Sequence, residues 1–264
     1  MPDLMINNRA YKVTGILFDK DGTLLDFIAT WGSWSKNVFS ELEQQLKGRG
    51  ISLHPDLIPS LWGTKHGEGG TIIDYDRNGP LAMGTMQDLY AVLAWQLYTK
   101  GLSWAEAMEL VQHCKKHADR ELERLRPARP LPGSVDFLKS CKAFGIKLGV
   151  VTADETEAAN QHLEWLGIRP YFDLVIGNDL VERGKPFPDM LQLACRKLAI
   201  DCSEAAIIGD TNGDMRMGVA AGAAVTVGIA DAAMGSSAHL LLPDAKEVIS
   251  HYSQLKIRSQ AHED

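Results

Sequence analysis

Hydrophobic positions follow two different periods along this chain. From Val13 to Phe18 the residues are apolar and β-branched, and they run directly into Asp19-Lys20-Asp21-Gly22, which predicts a buried strand ending in a polar turn. After Asp26 the pattern becomes helical. Trp34–Leu46, Met86–Tyr98 and Ser103–Leu125 read as helices, and no strand pattern interrupts them. In the last of these, Trp104, Met108, Val111, Cys114, Ala118, Leu122 and Leu125 fall on one stripe, and Ser103 with Glu106 predicts a capping box at its start.

Pro127-Ala128-Arg129-Pro130-Leu131-Pro132-Gly133 breaks the helical run and reads as a hinge. Beyond it strands and helices alternate: strand Ile146–Val151, helix Glu155–Leu166, strand Leu174–Ile176, helix Met190–Leu198, strand Ala205–Ile208, helix Met215–Ala221 and strand Ala224–Val227. That alternation predicts an α/β fold, a parallel sheet covered by helices on both faces, with residues 27–128 as a helical insertion.

A length of 264 residues suits one substantial core plus such an insertion. No stretch reaches the roughly 18 consecutive apolar residues of a membrane span, and the N-terminus lacks a basic region followed by an apolar signal core, so a cytoplasmic protein without a membrane partner is expected. The net charge of −7 argues against a nucleic-acid partner, because phosphate backbones demand clustered Lys and Arg. It leaves room for a local basic pocket. Cys114, Cys141, Cys195 and Cys202 form no CxxC pair and read as small reduced residues. His113, Cys114 and His117 could begin a metal site, since residues i and i+4 share a helix face, but the sequence offers no third ligand, and an exposed helical stripe is the competing reading.

The candidate chemistry lies where polar residues meet strand ends. Asp19 follows Ile16-Leu17-Phe18, Thr152 follows Gly149-Val150-Val151, and Asp210 follows Ile207-Ile208-Gly209. In open parallel sheets that edge is where ligands bind. Asp19 and Asp21, two apart in extended backbone, point the same way while Lys20 points elsewhere. Asp210 and Asp214 add two more carboxylates. Two carboxylates about 4 Å apart repel by roughly 4 kcal/mol at an effective dielectric near 20, so a cation is expected to join them, and hard oxygen ligands suit Mg²⁺. Lys185 offers a positive charge ahead of a helix, for the carboxylates or for a phosphate; Asp214 could also be a first-turn residue favoured by the helix dipole.

Asp19-Lys20-Asp21-Gly22-Thr23-Leu24, Thr152, Lys185 and Gly209-Asp210 with Asp214, in that order, resemble the four motifs of the haloacid dehalogenase superfamily, in its phosphatase branch with an α-helical cap. The resemblance implies a Rossmann-like core of residues 1–26 and 129–264 with a cap of residues 27–128, and an activity like that of the phosphoglycolate phosphatases on a small phosphorylated metabolite. It implies Asp19 as nucleophile and Asp21 as general acid and base. It also implies Thr152 and Lys185 on the phosphoryl oxygens, and Mg²⁺ held by the Asp19 carboxylate, the Asp21 carbonyl, Asp210 and Asp214.

Asp21 separates the chain from dehalogenases, phosphonate hydrolases and transport ATPases, which replace it. A sugar phosphomutase retains both aspartates and stays open as an alternative, as does a non-catalytic binding module. Two features fall outside the motifs. Thr152 is followed by Ala153-Asp154, where Asp154 with Glu157 could cap the next helix or could make a changed contact to substrate or cap. Residues 63–84 carry Gly63, Gly67, Gly69, Gly70, Gly79 and Gly84, a loop able to close over a site. Within it Lys65, His66 and Arg77 are either contacts to an anionic leaving group or solvated residues, and Trp31 and Trp34 either line a cap–core crevice or pack inside the cap.

Overall fold

A computed structural model describes residues 2–52, 61–67 and 70–259. The chain forms two compact units, one of the residues up to Asp26 together with those from Pro130 onward, the other Phe27–Arg129.

The first unit is built on a six-stranded sheet, β10-β9-β8-β3-β6-β7 in spatial order. Its strands are β3 (Gly15–Phe18), β6 (Lys147–Val151), β7 (Leu174–Ile176), β8 (Ala205–Gly209), β9 (Val225–Ile229) and β10 (Glu247–Ile249). Every pairing is parallel. This is the α/β parallel-sheet class the alternation predicts and the Rossmann-like core the resemblance implies. Successive residues of a strand face opposite sides of the sheet. Accordingly Ile16, Phe18, Val150 and Ile208 join one buried cluster, and Leu17, Val151 and Ile207 the other. Phe18 meets Phe137 and Phe172 edge-on, at 6.2 and 6.0 Å between ring centres. A strand buried on both faces has no polar alternation, which is why β3 and β8 read as continuous apolar runs.

Sequence periodicity missed the edge strand β10 and the following pieces of this unit. Strand β1 (Asp3–Ile6) and β2 (Arg9–Lys12) form a hairpin across Asn7 and Asn8, both at positive φ (47° and 69°), a turn conformation that asparagine tolerates. Together with β11 (Leu255–Arg258) they make a three-stranded antiparallel sheet in the order β11-β1-β2. The run at Val13 is therefore not all strand; β3 begins at Gly15. Ser134–Ala143, just past the proline-rich hinge, is a helix.

The chain leaves and re-enters this unit at adjacent points. Leu25 bridges Pro130, and the Leu131 amide donates to the Leu24 carbonyl at 2.9 Å.

The second unit opens with a wide π-type turn, Ile28–Gly32, running into α1 (Ser33–Lys47), followed by α2 (Met86–Thr99) and α3 (Trp104–Leu125). Both α1 and α2 pack on α3. The Ser103–Glu106 capping box is present as the sequence predicts. Trp34 is buried, stacks on Trp62 at 5.5 Å and donates to Asp119 at 2.8 Å, and Trp31 meets it edge-on, so both tryptophans serve this unit's own packing.

One expectation is corrected here: the insertion is not purely helical. Strands β4 (Thr64–His66) and β5 (Ile72–Tyr75) pair antiparallel, and at three and four residues they are too short to register a period of two. Gly69 lies outside the described residues. Cys114 is buried, while His113 and His117 face Glu41 of a neighbouring helix at 3.1 and 3.8 Å. Among the described residues no helix is long and apolar enough to cross a membrane.

Candidate active site

The C-terminal ends of β3, β6 and β8 deliver Asp19, Thr152 and Asp210 to one edge of the sheet, and all three are buried. The Asp19 amide donates to Ile208 O at 2.8 Å, so the nucleophile candidate is set by the sheet ladder itself. Gly22 then turns the chain at φ 79°, a conformation costly for any residue with a Cβ, and its amide donates to Leu25 O at 2.9 Å. Thr23 Oγ1 donates to Asp210 Oδ1 at 3.4 Å, and the Tyr252 hydroxyl holds the Thr23 carbonyl at 2.9 Å.

Asp214 is the third residue of the helix Asn212–Ala221 and part of a capping box. Its Oδ2 accepts from Thr211 Oγ1 at 2.6 Å, while Oδ1 faces Lys185 Nζ at 2.6 Å. Asp214 therefore caps the start of its helix and lies against Lys185 at the same time. Gly209 is required here, because a Cβ on it would collide with the Asp214 carboxyl. Lys185, in the loop ahead of the helix Asp189–Leu198, also bonds Asp19 Oδ1 and is buried with it.

Asp19, Asp210 and Asp214 place one carboxylate oxygen each within 4.8 Å of one another. Three carboxylates beside one ammonium leave two negative charges, which suits a divalent cation with oxygen ligands. Burial pushes the Asp19 carboxyl up to about 7; Lys185 opposes that, while Asp214 and Asp21 add to it. For Lys185, burial alone would lower the ammonium, but Asp19 and Asp214 outweigh it and hold the group above the ordinary lysine value.

A second buried cluster lies next to this one. Lys20 is fully buried, with Nζ 2.7 Å from Asp21 Oδ2, 3.1 Å from Asp154 Oδ2 and 2.9 Å from His162 Nδ1. Lys20 does not point away from Asp21, as strand alternation suggests, because the strand ends at Phe18 and neither residue belongs to it. The capping role for Asp154 is also corrected. The helix Thr156–Trp165 has Glu155 as N-cap without a side-chain bond, and its first amide, Thr156, donates to Asp179 at 2.7 Å. Asp154 instead accepts from the Glu155 amide at 2.8 Å through Oδ1 and turns Oδ2 to Lys20. Burial, with Lys20 adding to it, drives His162 down to about 2, so it stands neutral in this cluster. Sequence reading missed both Lys20 and His162.

Lys65, His66 and Arg77 share one hairpin region of the second unit. Lys65 and Arg77 pair with Asp74 at 2.8 and 3.4 Å, Arg77 also lies over the Tyr75 ring, and His66 bonds Thr64 at 2.8 Å.

A family model for haloacid dehalogenase-like hydrolases matches residues 13–222. The phosphoglycolate phosphatase of Aquifex aeolicus is 29% identical over 209 residues, 78% of this chain and 80% of that protein. Pyrophosphatase PpaX of Bacillus pumilus is 36% identical over 104 residues, 39% of this chain and 48% of its own; at such higher identities the chain spans about half the length of the curated relatives it matches. Among solved structures, the β-phosphoglucomutase of Clostridium difficile superposes with a TM-score of 0.61 at 19% identity, over 92% of this chain and 93% of that one, a likeness of fold.

Proposed function

The chain belongs to the haloacid dehalogenase-like hydrolases, and on that premise we propose that it hydrolyses a small-molecule phosphate monoester through a phospho-aspartate formed on Asp19, with Mg²⁺ as cofactor. The observation that carries this reading is the buried bridge of Lys185 between Asp19 and Asp214, beside Asp210, at the ends of parallel strands.

An Asp19 carboxylate oxygen attacks phosphorus, forming an O–P bond as the bond to the leaving alkoxide breaks. Asp21 donates a proton to that alkoxide, then accepts one from the water that attacks the phospho-aspartate, releasing phosphate and restoring Asp19. Lys185, held charged, faces the oxygens of the transferring group. Thr152 Oγ1 accepts from the Asp154 amide at 3.2 Å, so its hydroxyl hydrogen is available to donate to a phosphoryl oxygen. Asp19, Asp210 and Asp214 would hold Mg²⁺, joined by the Asp21 carbonyl, and the bound ion would offset charge on nucleophile and phosphoryl group alike.

The substrate class we favour is 2-phosphoglycolate or a similar small acid phosphate, as in the Aquifex relative. The test is phosphate release from a panel of 2-phosphoglycolate, pyrophosphate, sugar phosphates and nucleotides, with Mg²⁺ and with EDTA, using Asp19→Asn as the blank. Mg²⁺-dependent release absent from the blank is the expected result. Isomerisation of a hexose phosphate without release would make the protein a mutase, and release by Asp19→Asn would refute the covalent route.

A further inference from the structure

The mechanism above uses Asp21 but not the buried lysine beneath it. We propose that Lys20, held in place by Asp154 and His162, positions Asp21, fixing one oxygen of its carboxyl group so that the other faces the leaving oxygen and the attacking water. The inference rests on the reading of Asp21 as general acid and base.

An ammonium group has three N–H donors and no acceptor. Lys20 Nζ has three polar partners within 3.1 Å, the Asp21 and Asp154 carboxylates as ion pairs and His162 Nδ1 as a hydrogen bond. His162 can accept at Nδ1 only with its own proton on Nε2, and its neutral state under burial meets that demand. Because Nζ can only donate, Asp21 Oδ2 is always an acceptor, and a proton carried by Asp21 is confined to Oδ1. Without Lys20 the carboxyl group could rotate about its Cβ–Cγ bond and carry the proton on either oxygen. Proton transfer requires the donor oxygen within hydrogen-bond reach of the leaving group, so that rotation would be felt in the reaction.

Stability alone does not explain this arrangement. Burying a lysine with two carboxylates is expensive, and an apolar cluster of similar volume is often as stable or more so. Asp154 pairs with the lysine at 3.1 Å from a different segment of the chain. The cluster joins segments far apart in the chain, with Lys20 and His162 separated by 142 positions, and it converges on a side chain two residues beyond Asp19.

Leaving-group dependence distinguishes positioning from mere support. p-Nitrophenolate departs without a proton, whereas an alkoxide needs one. Lys20→Met and Asp154→Asn are assayed with Mg²⁺ on p-nitrophenyl phosphate and on two alkyl esters, 2-phosphoglycolate and glucose 6-phosphate. The expected result is a rise of about 10- to 100-fold in the aryl-to-alkyl ratio of kcat/KM, a part of the 10²–10⁴ that acid–base catalysis supplies. It should come with a burst of p-nitrophenolate, because Asp21 also serves the second, water-dependent step.

An equal loss on all esters, or no loss on any, overturns the proposal. Should Lys20→Met fail to fold, the same ratio in Asp154→Asn decides, since asparagine keeps the shape and one acceptor oxygen. A wild-type protein inert towards every ester removes the phosphatase reading itself, a result separable from uniform loss in the variants.

Discussion

His162 makes the stability of the sheet-bearing unit depend on pH in a calculable way. Its folded value of about 2 lies below the ordinary 6.5, so the unfolded chain binds a proton that the folded protein does not. The stability this provides is fully present above pH 6.5 and is lost as pH falls from there towards 2. Between pH 7.5 and 5.0 the loss is about 2 kcal/mol, from 1.36 kcal/mol per unit over the roughly 1.5 units below 6.5. The carboxylates add their own pH dependence, so the measurement is a difference. Urea unfolding of the wild type and of His162→Gln is followed from pH 7.5 to 5.0, glutamine keeping an acceptor for Lys20. The wild type should lose about 2 kcal/mol more than the variant, equivalent to ~4–8 °C in Tm, with most of that below pH 6. Parallel curves would refute the neutral, buried histidine and the hydrogen bond assigned to it.

Three further outcomes follow from the site geometry. Lys185→Met leaves Asp19, Asp210 and Asp214 without their ammonium and should cost about 3–5 kcal/mol in EDTA, with part of the loss recovered on adding Mg²⁺, as read by thermal unfolding. Asp21→Asn should lower kcat by about 10²-fold or more while leaving far-UV circular dichroism near the wild type; activity within a factor of three would remove Asp21 from proton transfer. Gly209→Ala places a methyl group where the Asp214 carboxyl stands, and should reduce both stability and Mg²⁺ affinity by calorimetry; unchanged affinity would contradict the close approach.

Much of the site was legible because its residues sit at the ends of apolar runs. Asp19, Thr152 and Asp210 each follow strand residues buried on both faces, and such runs stand out in any sequence. Asp214 could be placed twice over, as a carboxylate of the site and as a first-turn residue favoured by the helix dipole, whereas its capping box with Thr211 is seen only in the structure. Lys20 and His162 were hidden for a different reason. A lysine looks solvated until its partners are known, and here Asp154 and His162 arrive from another part of the chain. The hairpins were hidden by length: β1, β2 and β5 have four residues and β4 three, and Asn7-Asn8 was the one local signal for a turn between the first two.

The short bridge from Leu25 to Pro130, with Leu131 bonded to Leu24, closes a circuit in the chain. The two ends of the insertion are fastened to each other within the sheet-bearing unit, so everything between them is a detour that begins and ends at one place. A detour of that kind can be lengthened, shortened or exchanged without rethreading any strand of the six-stranded sheet. A chain in which Phe27–Arg129 gives way to a brief glycine-containing turn would keep β3 beside β6 and β8, with Asp19 still at its end. The fold thus separates inheritance from invention: the motif residues all belong to the part that has to stay, and the interrupted stretch is the part that can be replaced.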